Sequence, residues 1–125
     1  MTNTCKALIE KDGKYLLLRR TNHPPRFNKL WDFPGGKQNG EETLEQTLIR
    51  EVKEETKLDI IPNKIEKDIE LKNEEFDMHF FIYSIKSYTG EITLSFEPDK
   101  LAWYSKDELK KLDLHAPVKL FFEND

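Results

Sequence analysis

Within the segment Gly36–Leu58, Glu51, Glu54 and Glu55 stand at i, i+3 and i+4. On an α-helix that spacing gathers all three carboxylates within an arc of about 100°. Like charges placed this way weaken an isolated helix by about 0.2–0.5 kcal/mol per pair. Glu54 has Arg50 four residues before it and Lys57 three after, so an ordinary surface pairing is open to it. Glu51 and Glu55 have no cation at their ±3 or ±4 positions, and on a helical wheel Glu55 falls between Leu44 and Leu48 on the apolar stripe. A carboxylate beside a core is costly unless something neutralises it. A hard cation such as Mg²⁺ would do so, because it prefers carboxylate oxygens and keeps waters for a phosphate ligand to replace. The Pro34-Gly35-Gly36 turn ahead of this segment lets backbone approach a ligand closely and lets a glycine carbonyl reach a metal.

These residues need elements to position them. Thr43 with Gln46 forms a capping box that opens a helix running to Thr56, with Leu44, Leu48 and Val52 as its core stripe. Before it, Thr4–Glu10 and Lys14–Arg20 read as two strands joined at Asp12-Gly13, a hairpin signal. Residues Thr21–Gly40 hold three of the six prolines and three of the five glycines, which predicts a long ordered loop of the kind that carries function.

After the helix, Asp59–Leu71 reads as extended. Phe76–Tyr88 is apolar at both parities, as a central strand covered on both faces should be. Gly90 marks a break before Glu91–Phe96, and Leu101–Tyr104 reads as a short strand. Ser105 with Glu108 makes a second capping box for a helix to Leu112, and Pro117 opens a last helical segment through Phe122. Strands on both sides of one long helix predict an α/β (α+β) fold, a three-layer α/β/α sandwich with a mixed β-sheet.

The segment resembles the signature of the Nudix hydrolases: Gly, five residues, Glu, seven residues, Arg-Glu, an aliphatic residue, any residue, Glu-Glu, any residue, Gly, aliphatic. Gly36, Glu42, Arg50-Glu51, Val52, Glu54-Glu55 and Leu58 match, and Lys57 alone departs, standing where the family has Gly. The resemblance extends over about the whole chain, read as a single Nudix hydrolase domain at residues 1–125. It implies hydrolysis of a nucleoside diphosphate linked to another moiety, at the pyrophosphate, with Mg²⁺ or Mn²⁺. By position, Glu51, Glu54 and Glu55 become metal ligands together with the Gly35 carbonyl. Arg50 would orient the motif, while Gly36 and Glu42 would shape its loop. Glu97 sits where members place a further acidic ligand or base, and the general base stays open between Glu51 and Glu97.

Within the family the chain is most similar to mutator-type nucleoside triphosphatases. Arg20 matches a nucleotide-contacting Arg of that subgroup, and Asp32, Phe33 and Pro34 occupy the segment that lines the nucleotide. Lys37 and Lys29 add positive charge for phosphates, and Trp31 could stack on a base or simply pack. Where the 8-oxo-dGTP-clearing members carry an Asn ahead of a Pro-Val pair, this chain has His115 ahead of Ala116-Pro117-Val118. A His can bond a base but lacks the paired donor and acceptor of an amide.

Composition bounds the rest. The chain has 125 residues, 24 acidic against 20 basic, and a net charge of −4, so no positive field exists to attract a nucleic-acid backbone. Glu42, Glu51, Glu54, Glu55 and Glu97 alone exceed that surplus, so the acidity is gathered where a metal would sit. One cysteine, Cys5, excludes an intrachain disulfide framework, and no apolar run approaches the roughly 18 residues of a membrane span. A cytoplasmic enzyme with a small nucleotide as partner is the expectation. The competing readings are a catalytically silent nucleotide- or RNA-binding module on the same fold, and an interaction domain with an acidic helical face.

Overall fold

The computed structural model describes residues 1–19, 30–74, 76–93 and 100–123. A mixed sheet runs in the order β5 (Gly35–Lys37), β1 (Thr2–Leu8), β7 (Asp77–Thr89), β6 (Asp59–Lys72). β1 and β7 are parallel, in register from Thr2↔Met78 to Leu8↔Ser84, and the two outer pairings are antiparallel. In a second, antiparallel sheet β3 (Lys14–Arg19) pairs with β2 (Glu10–Lys11), β4 (Trp31–Asp32) and β8 (Lys100–Ser105). The helices are α1 (Leu44–Thr56), α2 (Lys106–Leu109) and α3 (Ala116–Phe121).

Side-chain alternation along the central strands makes the layers. Cys5, Ala7 and Tyr83 face Leu48 and Val52 of α1 in one core. Ile82, one residue away, joins Phe33, Leu109 and Val118 in the second, beneath α2 and α3. β7 is thus the doubly covered strand its sequence predicts. Leu48 and Val52 have no exposed surface, each contributing about 1.5–3 kcal/mol by burial. Burial likewise pushes the Cys5 thiol up to about 11, so this cysteine behaves as a small apolar residue.

Both capping boxes form. Gln46 N donates to Thr43 Oγ1 at 3.1 Å while Thr43 N donates to Gln46 Oε1 at 2.9 Å. Ser105 and Glu108 repeat the pattern at 2.8 and 3.2 Å. The Asp12-Gly13 turn is a two-residue hairpin turn with φ of 51° and 78°.

Two expectations need correction. The first expected strand divides at Ile9: residues up to Leu8 enter the mixed sheet, and only Glu10–Lys11 pair with β3. Residues 4–7 are buried on both faces, which an internal strand satisfies and a hairpin arm does not. The stretch read as one long loop also contains β4 and β5, because close backbone approach at the glycines lets it pair with β1. Glu91–Thr93 lie outside any strand. Among the described residues no helix is long and apolar enough to cross a membrane.

Candidate functional site

The loop before α1 is fastened to β1 by backbone bonds. Ala7 N donates to Pro34 O and Gln38 N donates to Asn3 O, both at 2.8 Å. Between them Gly35, Gly36 and Lys37 lie opposite Lys6, Cys5 and Thr4. Gly35 has φ of 145°, and a Cβ there would lie 1.9 Å from the Cys5 carbonyl oxygen, so only glycine permits this approach. A Cβ on Gly36 would meet the Glu51 carboxylate at 2.4–2.8 Å. The glycines therefore bring the strand end directly onto the acidic face of α1.

On that face the three glutamates differ in setting. Glu55 is only 6% exposed and accepts the Gly35 N–H on Oε1 at 2.8 Å. The Glu51 side chain is 21% exposed and that of Glu54 is 58% exposed. Arg50 ties the motif together: Nε and Nη2 grip Glu42 at 2.7 and 2.9 Å, and Nη1 reaches Glu51 at 2.9 Å and Glu54 at 3.3 Å. The bidentate grip holds the Glu42 carboxyl below the usual carboxylate range and raises the guanidinium further above its own. Thr47 Oγ1 also donates to Glu42, at 3.0 Å.

Helical spacing alone leaves Glu51 without a cation, and this is corrected by Arg50, whose long arm reaches its immediate neighbour. As the side chains stand, no three acidic, histidine or cysteine residues converge to hold a metal ion among the described residues. The donor chemistry still fits a hard divalent cation: three carboxylates share one helix arc, and the absence of a side chain at Gly36 leaves the Glu51 carboxylate room.

A second polar group lies on the opposite face of the mixed sheet. Lys6 Nζ donates to Asp32 Oδ2 at 2.7 Å, the two side chains being 5% and 9% exposed. Phe33 N donates to Asp32 Oδ1 at 2.8 Å. His115 Nδ1 is 3.6 Å from Asp32 Oδ2, and His115 N donates to Trp31 O at 2.8 Å, which locks the two segments side by side.

Of the other sequence candidates, Phe33 has no exposed surface and packs against Phe121 and Phe122, so its ring belongs to the core. The Pro34 carbonyl is taken up by Ala7 N, and Lys37 is exposed on β5. Trp31 packs edge-on to Tyr104 at 5.0 Å, with the Arg19 guanidinium 5.8 Å from its ring. Arg20, Lys29 and Glu97 lie outside the described residues. Sequence reading missed Lys6; its one signal is a cation inside the otherwise compact run Thr4–Leu8.

A family model described as the NUDIX domain matches residues 3–124. Nucleoside triphosphatase NudI of Salmonella agona (strain SL483) is 31% identical, over 90% of this chain and 87% of its own length. NudI of Enterobacter sp. (strain 638) is 29% identical, over 92% and 89%. The crystal structure of a MutT protein from Methanosarcina mazei Go1 superposes with a TM-score of 0.85 at 30% identity, covering 98% of this chain and 90% of that one. Divalent-metal hydrolysis is the general chemistry of that family. With its signature helix, glycine loop and mixed sheet all in place, the chain belongs to the Nudix hydrolase family.

Proposed function

We propose that the chain is a Mg²⁺- or Mn²⁺-dependent pyrophosphohydrolase that cleaves the diphosphate linkage of a nucleoside triphosphate or related nucleoside diphosphate derivative, oxidised nucleotides such as 8-oxo-dGTP included. The observation that carries this reading is the seating of Gly35-Gly36 on the Glu51/Glu54/Glu55 face of α1. The names of the relatives, nucleoside triphosphatase and MutT protein, support the same substrate class.

Glu51, Glu54 and Glu55 would hold the metal together with the Gly35 carbonyl, with Glu97 as a further donor. When bound, the metal neutralises diphosphate charge and lowers the pKa of an attacking water. The chain's own groups do the rest. Arg50 holds Glu51 and Glu54 side by side, and its grip on Glu42 anchors the loop to the helix. The Gly35 N–H donates to Glu55 and so aims its carboxylate at the loop. A carboxylate, Glu51 or Glu97, takes the proton of the attacking water. By sequence position Arg20 and Lys37 would meet the phosphates, and the segment Asp32–Pro34 with His115 would line the nucleoside, Phe33 supporting it from within the core. The partner is thus a small nucleotide rather than a nucleic acid, and the buried Cys5 suits the reducing cytoplasm.

The test is a panel of canonical and oxidised nucleoside triphosphates, nucleotide sugars and dinucleoside polyphosphates, assayed by kcat/KM with Mg²⁺. Pyrophosphate-bond cleavage that falls by orders of magnitude in Glu54→Gln and Glu55→Gln supports the reading. Turnover unchanged in both variants overturns the metal assignment, and nucleotide binding with no cleavage anywhere in the panel indicates a silent binding module.

A further inference from the structure

A lysine and an aspartate more than nine-tenths buried, 2.7 Å apart, are an expensive feature for a core. Apolar residues of similar size commonly stabilise such a position as well or better, so the pair calls for a reason other than stability. It does not stand alone. Thr4 precedes Lys6 by two residues on β1 and therefore faces the same side of the sheet. Its Oγ1 is buried and has no hydrogen-bond partner among the described residues, with the residue 3% exposed. His115 brings an imidazole 3.6 Å from Asp32 and, with its side chain 16% exposed, carries the cluster to the surface. Phe76 and Phe80 present their rings to His115 with centroids 6.2 and 6.4 Å away, giving aromatic walls. A cation, a carboxylate, a buried hydroxyl and an imidazole with two aromatic rings against it match the needs of a planar, polar-edged ligand.

Resting on the proposed nucleotide reading, we propose that Lys6 is a specificity-determining residue: it fixes and aims the Asp32 carboxylate so that the site accepts a nucleobase bearing an exocyclic amine, cytosine, adenine or guanine, in preference to uracil or thymine. The chemistry is one of complementary edges. An ionised carboxylate accepts only. It suits an amino N–H and repels the two carbonyl oxygens that flank N3–H in uracil and thymine. The ammonium beside it supplies a donor for the ring nitrogen or carbonyl next to the amine. Lys6 acts in part through Asp32, so it is a positioning residue, with Thr4 Oγ1 as an added contact to the same edge.

The experiment compares kcat/KM for dCTP against dUTP and CTP against UTP in the wild type and in Asp32→Asn, Lys6→Met and Lys6→Arg. Binding of CMP and UMP without metal, by titration calorimetry, gives the same comparison free of turnover. The wild type should favour the cytosine nucleotide by about tenfold or more. Asp32→Asn, whose amide both donates and accepts, should bring the ratio near unity. Lys6→Met should raise KM for the cytosine nucleotide more than it lowers kcat, and Lys6→Arg should restore much of the loss. If Lys6→Met alone does not fold, because it strands a buried carboxylate, Lys6→Met/Asp32→Leu keeps the core apolar and should show the same loss of preference. A wild-type ratio near unity, or one unchanged in Asp32→Asn, overturns the inference while leaving pyrophosphohydrolase activity standing. A folded wild type that hydrolyses no triphosphate overturns the proposed function, and the monophosphate binding ratio then decides the Lys6–Asp32 assignment by itself.

Discussion

A Cβ added to Gly36 would stand 2.4 Å from the carboxyl carbon of Glu51, although the two residues belong to different elements. Real Cβ atoms do not come that close, so Gly36→Ala must move something. The cheapest movement is rotation of the Glu51 side chain, which is partly exposed and has three torsions. The expected result is a protein that folds with nearly the wild-type melting temperature and turns over nucleotide about 10²-fold more slowly, the usual consequence of displacing a reacting group by about 1 Å. Circular dichroism melts and single-turnover rates on the same preparation would check both halves.

Gly35→Ala should fail in the opposite way. Its added Cβ would lie 1.9 Å from a backbone oxygen of β1 at Cys5, and φ of 145° is closed to other residues. Neither partner is a flexible side chain, so β1 and β5 must separate. A loss of stability of roughly 3 kcal/mol is expected, read as a lower denaturation midpoint. Equal effects of the two alanines on stability would contradict the distinction between a structural and a site glycine.

How much of this was legible beforehand differs by element. The α1 boundaries, both capping boxes and the doubly covered β7 follow from local patterns, since caps and apolar parity are properties of a few neighbouring residues. The burial of Glu55 was also legible, because its place on the helical wheel is set by spacing alone. What failed was tertiary. The division of the first strand at Ile9 depends on a parallel partner, β7, some seventy residues further along. The Arg50–Glu51 contact comes from side-chain reach, which ±3 and ±4 counting ignores. Lys6 became visible only when β4, in the second sheet, delivered Asp32 to it.

The Arg50–Glu42 pair predicts a specific acid response. Arg50 holds the Glu42 carboxyl below the usual carboxylate range, so folding favours its ionised form. That contribution is complete above the unfolded pKa of about 4.3 and is lost as pH falls through the depressed folded value. Glu42→Gln should therefore melt lower than the wild type near neutral pH, with the gap closing as pH falls below about 4. Glu108, also depressed by its Ser105 cap, is unchanged in both proteins and does not affect the difference. A gap constant across that range would mean that the carboxylate's charge contributes nothing.

Lys57, the one departure from the family signature, takes the left-handed conformation a glycine would adopt, with φ of 69° and ψ of 11° at the end of α1. Its N–H still closes the helix on Lys53 O at 3.0 Å, so the motif is intact and the cost is conformational, about 1 kcal/mol for a residue with a Cβ. Replacing Lys57 changes two things, because a cation at a helix C-terminus is itself favourable by about 0.3–1 kcal/mol. Lys57→Ala removes the charge and keeps the Cβ, whereas Lys57→Gly removes both. Gly should therefore be more stable than Ala by about 1 kcal/mol, or about 4 °C in melting temperature for a chain of this size. Because Lys57 is exposed and makes no contact with Glu51, Glu54 or Glu55 among the described bonds, nucleotide hydrolysis should stay within about twofold of wild type in both variants. Alanine and glycine variants of equal stability would show that the turn is free to relax and that the missing family glycine costs nothing.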